Sequence, residues 1–284
     1  MKLSSKFLAV ACAATLVNTS VVFAGESKVV KEVIVEEEAR KWWGAALSTG
    51  WDSRYIFRGV DIIPGSSLSW TKLNVTVSPW ENGTFLVGAW VAFGLTNSSY
   101  KEVDIYASYT HTFGNLTLTT GYTFYDIMPG VGSDNLYSNE LNVGANYLFD
   151  VGFMKITPGV YYFFNIGPAV GGTDGVSPEA GSYLSFRLDT SIPIKKDVIS
   201  VDPYFAFNLN FRYNQSEDPD SVPGNDGRPF FSGVNNIEFG ARIPWRINDT
   251  ITVSGYVAAS FQWYDLIGTA PGLVYGGADV TFAF

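Results

Sequence analysis

The side chains that could do chemistry in this 284-residue chain are few. His111 is the only histidine and Cys12 is the only cysteine. A serine nucleophile with a histidine base would have to use His111, which the strand pattern places on a face that contacts lipid or the membrane interface. No phosphate-binding glycine motif follows a predicted strand. The residues therefore predict that the protein is not an enzyme and that it has no metal centre and no cofactor.

An acidic cluster in the second half of the chain is a further candidate site. Its carboxylates could supply the oxygen ligands that Ca²⁺ prefers. Their spacing lacks the regular ligand repeat of a known calcium loop, so a solvated loop is the favoured interpretation and Ca²⁺ binding is the alternative. The cluster consists of Glu217, Asp218, Asp220 and Asp226.

The composition restricts the classes of protein to which the chain can belong. Aromatic residues make up 16% of the chain and charged residues 16%, with 29 glycines and a formal net charge of −9. The negative charge argues against a nucleic-acid partner, because phosphates attract a basic surface. After the first residues there is no run of eighteen apolar residues, so no transmembrane helix is predicted. This composition is typical of a secreted all-β protein or an outer-membrane barrel.

Residues 1–24 are predicted to be a cleaved export signal. Lys2 and Lys6 give a positive start, and the apolar stretch over 7–17 is too short to span a bilayer as a helix. Small residues at Ala24 and two positions before it suit a signal peptidase. Cleavage there removes the only cysteine, so the mature chain has neither a disulfide framework nor a cysteine metal site.

Residues 25–43 form a charged segment of different composition, which is expected to lie in the periplasm. A solvated tail is the favoured interpretation and a partner-binding tail is the alternative. Acylation of Cys12, as in a lipoprotein, is a weaker interpretation because too little apolar sequence precedes it. Trp42 and Trp43 at the end of the segment suit the aromatic belt at the inner surface of the bilayer, where the chain enters it.

From residue 45 onward, apolar and polar residues alternate in about twelve segments. Their length of roughly ten residues matches tilted membrane-spanning strands, which need about 9–11 residues. A soluble β-sandwich is the alternative, but its strands are usually shorter and its exposed faces polar. The segments are 45–58, 69–78, 84–95, 102–113, 116–125, 139–149, 155–165, 183–192, 200–213, 235–245, 251–263 and 273–284.

The connections between these segments alternate in length. Those after even-numbered segments are short, and Asn82-Gly83 and Gly114-Asn115 are hairpin signals. Most of the others are longer, including 59–68 and 214–234. This asymmetry is typical of outer-membrane barrels, whose short turns face the periplasm. The prediction is an all-β, transmembrane, antiparallel up-and-down β-barrel of about 12 strands over residues 44–284, with long extracellular loops and short periplasmic turns.

The last predicted strand ends the chain on an aromatic residue. Its two faces differ, with Val274, Val280 and Phe282 on one side and Asp279 and Thr281 on the other. This pattern resembles the C-terminal signal by which the barrel assembly machinery recognises outer-membrane barrels. The predicted signal residues are Tyr275, Gly277, Phe282 and Phe284.

Aromatic residues fall at two heights on the predicted barrel, as in the girdles at the two membrane interfaces. Pro158 and Pro203 interrupt predicted strands and indicate a bulge or a late strand start there. Trp90 could face either way, because its strand does not alternate. The periplasmic girdle comprises Trp80, Phe113, Phe149, Trp245 and Phe284, and the outer girdle comprises Trp51, Tyr55, Phe57, Phe124, Phe164, Phe211 and Trp263.

Charged residues at inward positions define the predicted lumen wall. With seven acids and six bases the wall is nearly balanced, so Arg–carboxylate pairs are expected, for example Arg54 or Arg58 with Asp279. A barrel of twelve strands should have a narrow lumen, between a filled eight-stranded barrel and a wide porin. The predicted lumen residues are Asp52, Arg54, Arg58, Lys72, Asp104, Glu140, Arg187, Asp189, Asp202, Arg212, Glu238, Arg242 and Asp279.

The long loops are expected to carry an acidic outer rim. Only Arg228 opposes the carboxylates assigned to them, so a mild preference for cations is predicted, which salt should screen. Hydration of the loops, or bridging of divalent ions to lipopolysaccharide, is the alternative role. The assigned carboxylates are Asp61, Asp126, Asp134, Asp174, Glu179, Glu217, Asp218, Asp220, Asp226 and Asp265.

The segment Gly50 to Val60, G-W-D-S-R-Y-I-F-R-G-V, resembles the opening strand of the TorF family of porin-like proteins. Members carry a similar S-D-Y-x-F-R-G stretch, and here Ser53, Tyr55, Phe57, Arg58 and Gly59 match while an arginine stands at position 54. The resemblance implies an integral outer-membrane barrel of the porin type. It brings no substrate and no catalytic residues.

The expected function is a porin-like channel for passive diffusion of small polar solutes or ions. The expected partners are outer-membrane lipid, lipopolysaccharide, the barrel assembly machinery and the small solutes. A barrel with a structural, adhesive or enzymatic role is the alternative.

Overall fold

The structure is a computed structural model that describes residues 42–96, 99–128, 136–166, 181–211, 213, 232–262 and 272–284. The predicted signal peptide and almost all of the charged segment over 25–43 lie outside these residues. In the described part of the chain, no helix is long and apolar enough to cross a membrane. The strands are β1 (Trp43–Asp52), β2 (Ile56–Phe57), β3 (Val60–Asp61), β4 (Leu68–Trp80), β5 (Gly83–Gly94), β6 (Lys101–Phe113), β7 (Leu116–Met128), β8 (Leu136–Tyr147), β9 (Phe149–Asp150), β10 (Lys155–Asn165), β11 (Ser182–Lys195), β12 (Ile199–Phe211), β13 (Ser232–Arg246), β14 (Ile251–Gln262) and β15 (Leu273–Ala283).

All strands except β2, β3 and β9 are long, and these twelve form one closed antiparallel barrel. Each pairs with its neighbour in the chain, and β1 closes the barrel by also pairing with β15, from Ala46 opposite Ala283 to Asp52 opposite Gly277. Closure leaves no sheet edge, which matters because an unpaired backbone group in hydrocarbon costs several kcal/mol. The predicted fold and strand number are confirmed.

The barrel wall has an apolar outer face and a more polar inner face. On β15, the outward Val274 is 62% exposed, whereas the inward neighbours Tyr275 and Asp279 are only 3% and 7% exposed. The same alternation brings Ser48 of β1 within hydrogen-bond distance of Thr281 inside the barrel, at 2.8 Å. Large apolar side chains are exposed outward on every long strand, as a protein surrounded by lipid requires.

The short connections lie at the end of the barrel that also holds both barrel termini. Examples are the turn between β6 and β7, where Gly114 adopts a left-handed φ of 59°, and the turn between β11 and β12. The predicted periplasmic girdle is exposed at this end, with Trp80, Trp245 and Phe284 about half exposed or more. By the rule that short turns face the periplasm, the opposite end is expected to face outward from the cell.

Both interrupting prolines lie inside strands, at breaks in the hydrogen-bond ladder. Pairing of β10 passes from β9 to β8 between Ile156 and Gly159, which leaves Pro158 in the gap. Pro203 lies within a break in the pairing with β11, and its carbonyl accepts a hydrogen bond from Thr190 Oγ1 at 2.8 Å. Trp90, which the pattern left open, faces inward and is buried.

The first outer connection departs from the prediction. The strand expected over 45–58 ends at Asp52, and the loop expected over 59–68 does not extend outward. Residues 53–67, called the inward segment below, fold into the barrel and carry the β2–β3 hairpin. Tyr55 and Phe57, predicted for the outer aromatic girdle, are buried in the interior, so that part of the prediction is wrong.

Candidate functional site

The tip of the inward segment is a two-residue β-hairpin turn. Ile56 pairs with Asp61 and Phe57 with Val60, and the two residues between them have positive φ, 51° for Arg58 and 83° for Gly59. Positive φ at both central residues defines the type I′ turn, whose twist matches that of the flanking strands. Glycine adopts this conformation readily, whereas for arginine it costs about 1–2 kcal/mol. Contacts of the arginine side chain must offset that cost.

The barrel wall holds the turn by its backbone. Asn235 Nδ2 donates to the carbonyl of Arg58 at 2.8 Å, and Gln262 Nε2 donates to the carbonyl of Gly59 at 2.9 Å. A Cβ at Gly59 would lie 2.7 Å from Cγ of Asn236, so only glycine fits at this close approach. The turn is therefore seated against β13 and β14 with defined register.

Both ends of the inward segment are also tied to the wall. At its start, Ser53 N donates to Gly276 O at 2.8 Å, and Gly276 N donates to Ser53 Oγ at 3.0 Å. At its end, Leu95 N donates to Ser67 O at 2.8 Å. These bonds attach the segment to β15 on one side of the first hairpin and to the end of β5 on the other.

Apolar side chains of the segment fill the outer part of the lumen. Tyr55 and Phe57 pack on one part of the wall, while Ile56 packs on Ala258 and Tyr275 on another. Burying a side chain of this size stabilises by roughly 1.5–3 kcal/mol. The segment thus sits in an aromatic core rather than in an open aqueous pore. The inward aromatic residues around Tyr55 and Phe57 include Trp70, Trp90, Tyr125, Phe163, Tyr183 and Tyr213.

Arg58 reaches across the lumen to a buried carboxylate. Its Nη2 lies 2.5 Å from Glu140 Oε2, and both side chains are at most 4% exposed. Glu140 also accepts hydrogen bonds from the hydroxyls of Tyr125, at 3.2 Å, and Tyr213. Burial disfavours the guanidinium charge, but the attraction of Glu140 outweighs it and the pKa of Arg58 rises above its ordinary value. The guanidinium of Arg58 therefore keeps its charge at physiological pH.

Four aromatic rings surround the guanidinium of Arg58. Its Cζ lies 3.9 Å from the ring centroid of Tyr213, 4.4 Å from Phe163, 4.8 Å from Phe57 and 4.9 Å from Tyr183. Nε and Nη1 have no hydrogen-bond partner among the described residues. Their charge is met by the ring faces instead, and a desolvated cation–π contact contributes about 2 kcal/mol.

A second carboxylate anchors the base of the hairpin. Glu102 of β6 accepts hydrogen bonds from Tyr55 at 2.7 Å and from Tyr100 at 2.5 Å. It lies on the same inward face as Asp104, and both are buried. Asp104 is one of the predicted lumen residues and Glu102 is not, although the period of two places both on one face.

The structure places most of the predicted lumen residues on the inner face of the long strands. Arg54 and Arg58 belong to the inward segment instead, and Arg54 remains 43% exposed at its side chain. Arg212 lies outside the described residues. The residues on inner strand faces are Asp52, Lys72, Asp104, Glu140, Arg187, Asp189, Asp202, Glu238, Arg242 and Asp279.

Several of these charges form pairs within the wall. Arg187 Nε lies 2.8 Å from Asp189 Oδ1, and Arg242 bonds Asp279 on the second strand along. The predicted example, Arg54 or Arg58 with Asp279, is wrong, because the inward turn after Asp52 carries both arginines away from the closing strand. The charge pairs within the wall make the interior polar between the inward segment and the end of the barrel that holds both termini.

The acidic cluster of the predicted outer rim, Glu217, Asp218, Asp220 and Asp226, lies outside the described residues. Asp61, assigned to the rim from sequence, belongs to the inward segment, where Arg54 Nη1 donates to its Oδ2 at 3.0 Å. Burial raises the pKa of Asp61, and the bond from Arg54 opposes that rise. Its assignment to the rim is wrong, because the connection folds inward.

His111 lies on the outward face near the periplasmic end of β6. Its Nδ1 is 2.8 Å from Tyr109 Oη, and its ring contacts Phe113 with centroids 4.3 Å apart. The surrounding side chains are those of the membrane-facing wall, and the lumen site described above uses none of them.

The chain shares its fold with solved outer-membrane barrels. A crystal structure of an outer membrane channel from Pseudomonas putida F1 matches with a TM-score of 0.56 at 9% identity, over 89% of this chain and 100% of that one. At that identity the likeness concerns the fold alone. This likeness agrees with the closed barrel and the apolar outer face. Together they define the class of the protein as an outer-membrane β-barrel.

Two further solved structures are similar at lower scores. The KdgM porin has a TM-score of 0.47 at 10% identity, over 84% of this chain and 99% of that one. The translocator domain of the autotransporter NalP from Neisseria meningitidis has a TM-score of 0.47 at 12% identity, over 87% and 90%. No protein-family model matches the chain, and no curated protein sequence does. The resemblance to the TorF family stays a prediction.

Proposed function

We propose that this protein is a porin-like outer-membrane channel for passive diffusion of small polar solutes or ions. The observation that supports it is a closed barrel with an apolar outer face and an inner face of paired charges and hydroxyls. Polar groups of this kind do not suit contact with lipid, and they suit a water-filled lumen. In this proposal the inward segment, rather than the barrel wall, sets the narrowest point.

The proposal includes the biology that such a channel requires. The chain is exported through a cleaved signal peptide, is recognised by the barrel assembly machinery through its last strand, and contacts lipid and lipopolysaccharide. It belongs to the TorF family and has no enzymatic activity. The resemblance over Gly50 to Val60 supports the family. The matching residues also contact the wall; they are Ser53, Tyr55, Phe57, Arg58 and Gly59.

Solute size is the first test of the proposal. In liposome swelling with purified protein, we expect a pentose to enter measurably faster than in protein-free liposomes and a trisaccharide to enter at the background rate. The reason is that Tyr55, Ile56 and Phe57 occupy the outer lumen. Rapid entry of the trisaccharide would contradict a narrow channel, and no entry of either sugar or of ions would contradict a channel.

Charge selectivity is the second test, and it concerns the acidic rim. We expect a modest cation preference in the reversal potential across a KCl gradient, fading as salt rises, because the screening length is about 10 Å at 0.1 M. Neutralising Glu217, Asp218, Asp220 and Asp226 together should reduce it. A preference for anions, or a cation preference that survives the change, would exclude control by the rim.

A barrel without channel activity is the second candidate, and the filled outer lumen favours it. A stable plug would suit a structural or adhesive role, with the outer loops as the contact surface. The liposome and bilayer measurements separate the two candidates. If the barrel inserts normally but passes neither sugars nor ions, the result supports the second candidate, a barrel without channel activity.

A further inference from the structure

The surroundings of Arg58 have the composition of a binding site for an organic cation. The wall and the end of β12 supply one buried carboxylate, Glu140, and three ring faces, those of Phe163, Tyr183 and Tyr213. Aromatic rings around a cation, with a carboxylate at one side, form the usual arrangement for recognising guanidinium and ammonium groups. In this structure the cation is supplied by the chain itself.

The shape of the site fits a planar guanidinium best. One edge, Nη2, meets Glu140, whereas Nε and Nη1 have no hydrogen-bond partner among the described residues. A delocalised, weakly hydrated cation loses less on leaving water than a compact ammonium does. The site therefore holds its cation through one carboxylate edge and several ring faces, without the further acceptors that an ammonium needs.

The residue that occupies the site stands on a strained backbone. Arg58 has a φ of 51°, which glycine or asparagine would adopt at less cost. Backbone strain of this kind persists where side-chain contacts hold it, and it is released when those contacts are lost. A competing cation would thus need to displace one side chain on a turn that is already under strain.

We propose that Glu140, Phe163, Tyr183 and Tyr213 form a binding site for solutes that bear a guanidinium group, and that Arg58 occupies this site as an internal competitor. A solute that enters from the outer mouth replaces the Arg58 side chain and frees the tip of the inward segment. The binding part of this inference stands on the site geometry. The opening part rests on the proposed channel function.

Binding is tested with methylguanidinium and the full chain in detergent, by calorimetry. Arg58→Gly removes the competing group and leaves a Gly-Gly sequence that suits the type I′ turn. We expect this variant to bind methylguanidinium at least about tenfold more tightly than the wild type, whose own arginine fills the site. Urea, a neutral planar analogue that lacks the methyl group, should not bind at the same concentration.

The carboxylate supplies the matched control. In the double variant Arg58→Gly with Glu140→Gln, methylguanidinium affinity should fall by at least about tenfold relative to Arg58→Gly. Equal affinity of the two variants, or equal binding of urea, would overturn the binding site. If Arg58→Gly fails to fold, the measurement is repeated with Arg58→Asn, which gives the Asn-Gly sequence favoured in this turn. The methylguanidinium affinities must then follow the same order.

Opening is tested separately in planar bilayers. Methylguanidinium added on the outer side should raise the open time of the wild-type channel, and urea should not. Unchanged gating together with binding to Arg58→Gly would overturn the opening part and keep the binding site. Absence of conductance in the wild type and in Arg58→Gly would instead contradict the proposed channel, and calorimetry would still decide the binding site.

Discussion

Replacing residues 53–67 with Asn-Gly will convert a narrow barrel into a wide channel, with single-channel conductance raised several-fold and trisaccharides admitted. The variant is well defined because Asp52 and Leu68, which flank the segment, already stand opposite each other in the β1–β4 pairing. A two-residue type I′ turn can therefore join them without moving the wall. Conductance in planar bilayers and liposome swelling measure the result.

The large effect follows from what the segment fills. It places Tyr55, Ile56, Phe57 and Arg58 inside the outer lumen, and their removal leaves only the side chains of the wall. A twelve-stranded wall alone encloses more space than the filled barrels of eight strands. The exposed aromatic wall should also lower thermal stability, which the temperature of the heat-induced gel-mobility shift reports.

A replacement of equal length provides the control. Fifteen glycine and serine residues in place of 53–67 keep the chain length but lack the buried apolar groups and Arg58. This variant should conduct like the Asn-Gly variant, because its flexible chain gains no core contacts to hold it in the lumen. Wild-type conductance in both variants would show that the segment does not limit the pore.

The barrel itself could be predicted because lipid imposes a strict rule on the sequence. Every long strand must alternate to face hydrocarbon and interior, so β15 shows its two faces in the printed residues, with Val274 outward and Asp279 inward. Turn signals at Asn82-Gly83 and Gly114-Asn115 then set the hairpins. The alternation and the turns agree independently, which is why the number of strands was correct.

The inward segment could not be predicted by the same rule. The alternation of Arg54, Tyr55, Ile56, Phe57 and Arg58 continues that of β1, so the strand appeared to run on. The chain turns instead at Arg58-Gly59, a sequence that lacks the usual asparagine or aspartate of a type I′ turn. Tertiary contacts, not local preference, determine this turn.

The partners of Arg58 could not be predicted from the sequence, for a related reason. Glu140 was identified as inward, yet the barrel interior is the place where residues far apart in the chain meet, here 82 positions apart. The alternation along a strand predicts which face of the sheet a residue lies on, but it does not predict the partner of that residue across the lumen. Tyr213, which follows β12, also reaches Glu140, and no local pattern marks it.

The pair formed by Arg58 and Glu140 should control how firmly the inward segment is held. Arg58→Met or Glu140→Gln alone should each lower the free energy of opening by about 3–5 kcal/mol, because each leaves a buried group without its partner. The double variant should cost less than the sum of the two, since neither group is then unmatched. The difference between the effect of the double variant and the sum of the two single effects measures the interaction between Arg58 and Glu140.

Opening can be followed through one added cysteine at a buried position of the segment. Ser66→Cys is nearly isosteric, Ser66 is buried, and the only natural cysteine lies in the predicted signal peptide. If opening limits access, the rate of maleimide labelling reports the open fraction. Arg58→Met should raise that rate by about a hundredfold or more.

Arg54→Met is the matched control, in the same segment and with the same chemical change. Arg54 pairs with Asp61, but its side chain is 43% exposed, so water already screens the charge. Exposed pairs contribute about 1 kcal/mol or less, so labelling at Ser66→Cys should change by no more than about fivefold. Similar rates for Arg54→Met and Arg58→Met would mean that general loosening of the segment, rather than the buried ion pair, governs opening. Strict additivity of Arg58→Met and Glu140→Gln would lead to the same conclusion, because two groups that hold each other cannot act independently.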